Sequence, residues 1–325
     1  MNKLNKFNSF LKPHIQAYIS YQKASMRWNE VSYERNLAIF ERYCLKYYPE
    51  ATVLSQDMVN GWCCKRQTES NNSCRSRIYV IAGLIRYLRN RGETNVTEPV
   101  IPKEDRRTYI PHAFTETELT NFFKACDSIT VRANILEHRK RRITIPVFFR
   151  LLYSSGMRTN EARMLKVSDV DLENGVINIS SSKGYGQHYV ALHDSMLELL
   201  KNYDAAIRKY NSNRTYFFPA KGDSFHRNGW VYTNFRLMWN KYNCEYATAY
   251  ELRHNYAIEN INRYTNEGFG FNSKLVYLSK SMGHKTLEST RYYYSLVPGI
   301  ADILEEKTGI DFDRIVPEVE YEEFE

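Results

Sequence analysis

Two arginines, Arg158 and Arg253, stand in the 325-residue sequence within local patterns suited to phosphate chemistry. Cleaving a phosphodiester without a metal takes three kinds of group. Cations must bind the non-bridging oxygens as charge builds, a nucleophile must attack in line, and an acid must protonate the leaving oxygen. Arginine suits the first task because its planar fork stays charged and grips a phosphate through two bonds. Each residue also has an ordinary explanation. Arg158 can be an exposed arginine at a helix start, and Glu161 a helix cap or the partner of a nearby arginine. Arg253 and His254 fit a solvated helix face, Lys183 beside Gly184 fits a hairpin turn, and His284 after Gly283 fits a cap. Tyr292, Tyr293 and Tyr294 on one helix point about 100° apart, so only one can face a given target.

The four segments that hold these residues narrow the choice. LLYSSGMRTNEARMLKVSDVDLENG (residues 151–175) presents Arg158 after a glycine turn, with Glu161 three residues on; SSKGYGQHYVAL holds Lys183 in a β-hairpin pattern; YELRHNYA holds Arg253 and His254; MGHKTLESTRYYYSLV holds His284 with Tyr293 nine positions later. In this order, behind a basic helical region, they resemble the boxes of tyrosine recombinases and phage integrases. Residues 113–297 resemble that family's catalytic domain, and residues 20–92 its small helical core-binding domain.

The resemblance implies roles. Arg158 and Arg253 hold the scissile phosphate, His284 adds a hydrogen bond, Lys183 is the general acid, and Tyr293 is the nucleophile of a 3′-phosphotyrosine intermediate formed without metal or ATP. Glu161 and His254 would orient neighbours rather than touch DNA. One position departs from the pattern. The second box usually opens with a histidine three residues before its arginine, and here that residue is Tyr250, a weak base at neutral pH. Tyr250 is kept as a site residue with a modified role. The resemblance further implies a C-shaped clamp on duplex DNA and a homotetramer on two DNA sites, or a hetero-assembly with a related recombinase. Two other functions fit much of the same chemistry: a type IB topoisomerase, and a DNA-binding accessory protein made silent by Tyr250.

The elements that must position these groups are mostly helical. Apolar residues from Val31 to Cys44 recur at helical spacing, with Ser32 placed to help start the helix, and further helices are predicted over residues 56–65 and 72–89. The last of these carries a basic flank that includes Arg75 and Arg77. Pro99, Pro102 and Pro111 bracket an aperiodic run holding Lys103, Arg106 and Arg107, which reads as a linker able to follow a phosphate backbone. Thr115 and Glu118 form a capping box, a helix covers residues 143–153, and another runs from 159 to 165. Residues 167–192 give the clear sheet, turned at 183–186, after which the chain is helical again except near 216–219. The fold class expected is mainly α with a small β-sheet. A helical, SAM-like core-binding domain (1–104) and a linker (105–112) precede a mixed α/β catalytic domain (113–301) and an acidic tail (302–325).

Charge agrees with a polyanionic partner. The net charge is +8, but the last 24 residues hold ten acidic and two basic side chains, leaving 43 basic against 27 acidic, or +16, over residues 1–301. The densest basic run, 138–142, offers Arg139, Lys140 and Arg141 as backbone contacts or as a solvated face. Six scattered cysteines without a CxxC pair read as reduced thiols rather than a disulfide frame or zinc site. The best apolar stretch, residues 143–153, is short and broken by Arg150, so a cytoplasmic protein without a cofactor is expected.

Overall fold

The computed structural model describes residues 7–25, 30–105, 111–130, 135–180, 187–264, 270–291 and 293. The chain divides into two compact units, Met1–Thr108 and Tyr109–Glu325. Both are mainly helical, and the second holds a small sheet.

Among its described residues the first unit holds α1 (Lys12–Ala24), α2 (Glu30–Tyr47), α3 (Gln56–Cys63) and α4 (Asn71–Arg89). Pro13 opens α1, where its missing N–H costs nothing, and Ile15, Tyr18 and Ile19 line its buried side. Ser32 lies inside the first turn of α2 rather than ahead of it. Ser55 and Ser70 cap α3 and α4 by accepting from the amides of Met58 and Ser73. Leu37 and Phe40 of α2, Met58 and Trp62 of α3, and Ile81, Leu84, Ile85 and Leu88 of α4 form one apolar core.

The second unit opens with α5 (Glu116–Asp127), whose Thr115–Glu118 capping box is formed in both directions. Helix α6 (Leu136–Ser155) starts seven residues before the predicted onset, taking the basic run 138–142 into its first turns. Ile145, Phe148, Phe149 and Leu152 bury its inner stripe against Phe122 of α5. After the short α7 (Thr159–Arg163) come β1 (Val170–Asp171), β2 (Val176–Ile179) and β3 (His188–Ala191), antiparallel in that order. The register sets Ile179 opposite His188 and Ile177 opposite Val190, so alternation turns all four inward. Helices α8 (Asp194–Arg208) and α9 (Asn228–Trp239) close this core. A separate cluster joins α10 (Glu251–Tyr264) and α11 (Gly270–Ser281) through Ala257, Ile261, Leu275 and Leu278, together with Met282, and the short α12 (Glu288–Arg291) lies against α11. Among the described residues no helix is long and apolar enough to cross a membrane.

Candidate active site

The site forms where the C-terminal end of α6 meets the start of α10 and the turn after α11. Gly156 ends α6 with φ +61°, a conformation that favours glycine, and a Cβ there would overlap the ring of Tyr256 on α10. This close approach lets Arg253 reach back and donate from Nη1 to the Gly156 carbonyl at 2.5 Å. The turn after α11 needs a second such residue. Gly283 has φ +63°, with its amide donating to Lys280 and the His284 amide to Ser279, both at 2.9 Å. That pair of bonds is a Schellman closure, and it aims the carbonyls of Met282 and Gly283 at the arginines.

Among the described residues, Arg158 is held at its amide and at both terminal guanidinium nitrogens. Its amide donates to Glu161 Oε2 at 2.8 Å, Nη1 donates to Glu161 Oε1 at 2.7 Å, and Nη2 donates to the Gly283 carbonyl at 2.9 Å. Glu161 is buried, so one carboxylate both caps α7 and aims the guanidinium. Arg253 is only 2% exposed and is held by neutral acceptors: the carbonyls of Gly156 and Met282, and His284 Nε2 at 2.8 Å. Its buried Nε has no hydrogen-bond partner among the described residues. Burial, and Arg158 nearby, lower its proton affinity, yet an arginine keeps its charge. A buried cation without a bonded carboxylate favours binding of an anion.

His284 accepts from Arg253 at Nε2, which leaves Nδ1 as the donor to Thr290 Oγ1 at 2.7 Å. Burial, reinforced by Arg253, Arg158 and His188, lowers its pKa to about 3, so the ring is neutral. Tyr293 is 3% exposed and rests on the α10–α11 cluster. Two imidazoles flank its ring: His284 lies nearly parallel at 6.1 Å between centroids, and His254 is tilted by 54° at 5.4 Å. Tyr250 is 45% exposed and sets its ring edge-on to His254 at 5.0 Å.

The structure therefore brings Arg158, Glu161, Tyr250, Arg253, His254, His284 and Tyr293 together. Lys183, Arg106, Arg107, Tyr292, Tyr294 and the acidic tail lie outside the described residues. Sequence reasoning missed Thr290, which is fully buried and holds His284, and His188, whose ring packs under Gly283 and lies 4.0 Å from Glu161. Inward alternation along β3 is the signal that points to His188. Nothing local marks Thr290.

Three candidate DNA contacts need correction. Arg77 is 5% exposed and spends its guanidinium on Glu69 at 2.7 Å and on the carbonyls of Trp62 and Cys64, so it ties α4 to the end of α3. Lys140 is buried beside Glu137 at 3.5 Å, and Arg141 turns inward to donate to Asn234 Oδ1 at 2.7 Å. Arg139 and Lys103 are exposed and Arg75 half-buried.

A family model described as "Phage integrase family" matches residues 113–298, more than half of the chain. Among curated proteins, the chain is 26% identical over 200 residues to the putative integrase/recombinase y4rE of Sinorhizobium fredii, covering 60% of this chain and 62% of that one. It is 27% identical over 222 residues to the tyrosine recombinase XerA of Saccharolobus solfataricus, covering 68% and 63%. The chain thus spans less than two thirds of either relative's length. Among solved structures, the XerH site-specific recombinase bound to difH in a pre-cleavage complex superimposes with a TM-score of 0.59 at 23% identity, covering 81% of this chain and 76% of that one. That likeness concerns the fold.

Proposed function

The chain belongs to the phage integrase family, and from that membership we propose that it is a site-specific DNA strand transferase that cuts and rejoins DNA through a covalent bond to Tyr293. The carrying observation is the Arg253 guanidinium, buried on neutral acceptors within electrostatic reach of both Arg158 and Tyr293. A scissile phosphate supplies the anion this arrangement favours.

In the reaction, Arg253 and Arg158 stabilise the charge that builds on the non-bridging oxygens. Both guanidiniums are fixed before DNA arrives, so little reorganisation is needed at the transition state. The Tyr293 oxygen attacks phosphorus, the bond to the 5′ oxygen breaks, and that oxygen is protonated, with Lys183 as the proposed acid. Attack by the 5′-hydroxyl of a partner strand reverses the step. His284 begins as an acceptor from Arg253, and donating to the phosphate requires its proton to move from Nδ1 to Nε2. Arg75, Lys103 and Arg139 are proposed backbone contacts, on duplex DNA bound at two sites by four protomers. The XerH recombinase is bound to its difH substrate and the Tn1549 transposon integrase to transposon right end DNA, which supports a DNA substrate. A cytoplasmic site of action is part of this proposal.

A nicked DNA carrying the cognate site, recovered from sequence flanking the gene, tests this reading. Wild type should leave a covalent protein–DNA band on a denaturing gel, and Tyr293→Phe should abolish it. A band that persists in the mutant would overturn the assignment of Tyr293, and no band with wild type on bound DNA would overturn the reaction itself.

A further inference from the structure

Beside the proposed nucleophile lies a buried nitrogen without a bond. His254 Nδ1 is shielded from solvent and has no hydrogen-bond partner among the described residues. Such an atom costs stability, and its presence at a reaction centre calls for a partner in another state of the site. The ring that carries it contacts both nearby phenols, 5.4 Å from Tyr293 and 5.0 Å from Tyr250 between centroids. It follows Arg253 directly on α10, so the arginine that binds phosphate and the imidazole beside the nucleophile share one rigid turn. Tyr250, standing where the resemblance expects histidine, is a phenol and a poor acceptor at neutral pH.

We propose that His254 is the proton acceptor for Tyr293, taking the work that a phenol at position 250 does not perform. This rests on the strand-transfer reading above. The Nδ1 lone pair takes the proton from Tyr293 Oη as the oxygen forms its bond to phosphorus and the bond to the 5′ oxygen breaks. The leaving oxygen takes its proton from the general acid. His254 holds the phenol proton as imidazolium and returns it when a 5′-hydroxyl attacks the phosphotyrosine. Catalytic hydrogen bonds often tighten only once substrate is seated, so the separation of the rings in the free protein suits this role.

The groups facing His254 are Tyr250, Glu251 and Arg253 from α10, and Tyr293. Burial lowers the imidazole to about 4, with Arg253 pushing further down and Glu251 pulling up. The ring is therefore neutral at neutral pH, and in the tautomer protonated at Nε2 the Nδ1 lone pair is free. A phosphate on Arg253 offsets that cation's push, so the basicity of His254 rises when DNA is bound.

The test measures covalent adduct formation on the nicked cognate DNA for wild type, His254→Gln and His254→Asn. Each is made with tyrosine or 3,5-difluorotyrosine at position 293 alone. The Asn side chain sets its oxygen near the place of Nδ1 and supports the fold without supplying a base. Both variants should bind the DNA as wild type does and lose about 100-fold in rate at pH 7. Their rates should then climb about tenfold per pH unit, and difluorotyrosine, whose phenol ionises more readily, should recover at least tenfold. Wild-type rates in both variants, or a loss that neither pH nor fluorination relieves, would overturn the proposal while leaving the Tyr293 reaction intact. Absence of any adduct with wild type on bound DNA would overturn both.

Discussion

Arg158 and Arg253 donate to consecutive carbonyl oxygens, those of Gly283 and Met282, at 2.9 and 2.8 Å. The two cations come from segments 95 residues apart in sequence, and the turn that precedes His284 sets their spacing. The geometry depends on a backbone turn closed by Gly283 and on the Glu161 carboxylate that pairs with Arg158.

Replacing Arg253 by lysine should therefore not conserve function. One ammonium on a flexible stem cannot reproduce the fork that meets Gly156, Met282 and His284 together. Loss of a preorganised donor to a developing oxyanion costs about 10²–10³ in rate. Single-turnover adduct formation by Arg253→Lys should fall by about that factor, with DNA affinity changed far less.

Glu161→Ala should cost stability as well as activity. The carboxylate is buried and pairs with Arg158 at 2.7 Å, and removing one member of a buried pair costs about 3–5 kcal/mol. It also releases the amide cap of α7. A urea titration should show the midpoint lowered, and Glu161→Gln, which keeps an acceptor oxygen, should lose less.

Much of this fold and site is legible from residue spacing, and the exceptions have physical causes. The stripe through Ile145, Phe148 and Leu152 identifies α6, but its first turns read as a charged face because Arg and Lys, good helix formers, hide the helical onset. In α1 the apolar positions Ile15, Tyr18 and Ile19 are diluted by polar neighbours, so the pattern is weak. Arg158, Arg253, His284 and Tyr293 announce themselves through local motifs. Their partners do not, because the bond from Arg158 to Gly283 spans 125 positions and comes into being only with the tertiary fold.

Gly156→Ala tests the close approach that seats Arg253. Two penalties combine there: the positive φ, which costs an L residue about 1 kcal/mol, and overlap of the new methyl with the Tyr256 ring. Adding Tyr256→Leu should relieve the second and leave the first. The double variant should then be more stable than Gly156→Ala alone by thermal melting. Equal melting of the single and double variants would place the whole cost in the backbone.

Stability should fall on mild acidification. Burial holds His226 and His254 at about 4 and His284 at about 3, all below the unfolded value near 6.5. The folded state thus binds fewer protons than the unfolded chain, so this contribution is full above pH 6.5 and is lost as pH falls toward 3–4. Urea midpoints should drop between pH 7 and pH 5, and His226→Gln, remote from the proposed chemistry, should reduce that drop without abolishing it.

Arg75 and Arg77 lie two residues apart on α4, and the structure assigns them opposite behaviour. Arg77 is internal, bonded to Glu69 and to the end of α3, so Arg77→Ala should destabilise the first unit by about 3 kcal/mol or more. Arg75 is half-buried with no side-chain hydrogen bond among the described residues, which leaves its cation available to a phosphate. If it neutralises one, Arg75→Ala should reduce the slope of log affinity against log salt by about 0.9 and leave the melting temperature nearly unchanged. The two measurements separate structural arginines from DNA-facing ones. Arg77→Ala altering the salt slope while Arg75→Ala does not would reverse the assignment of that helix face.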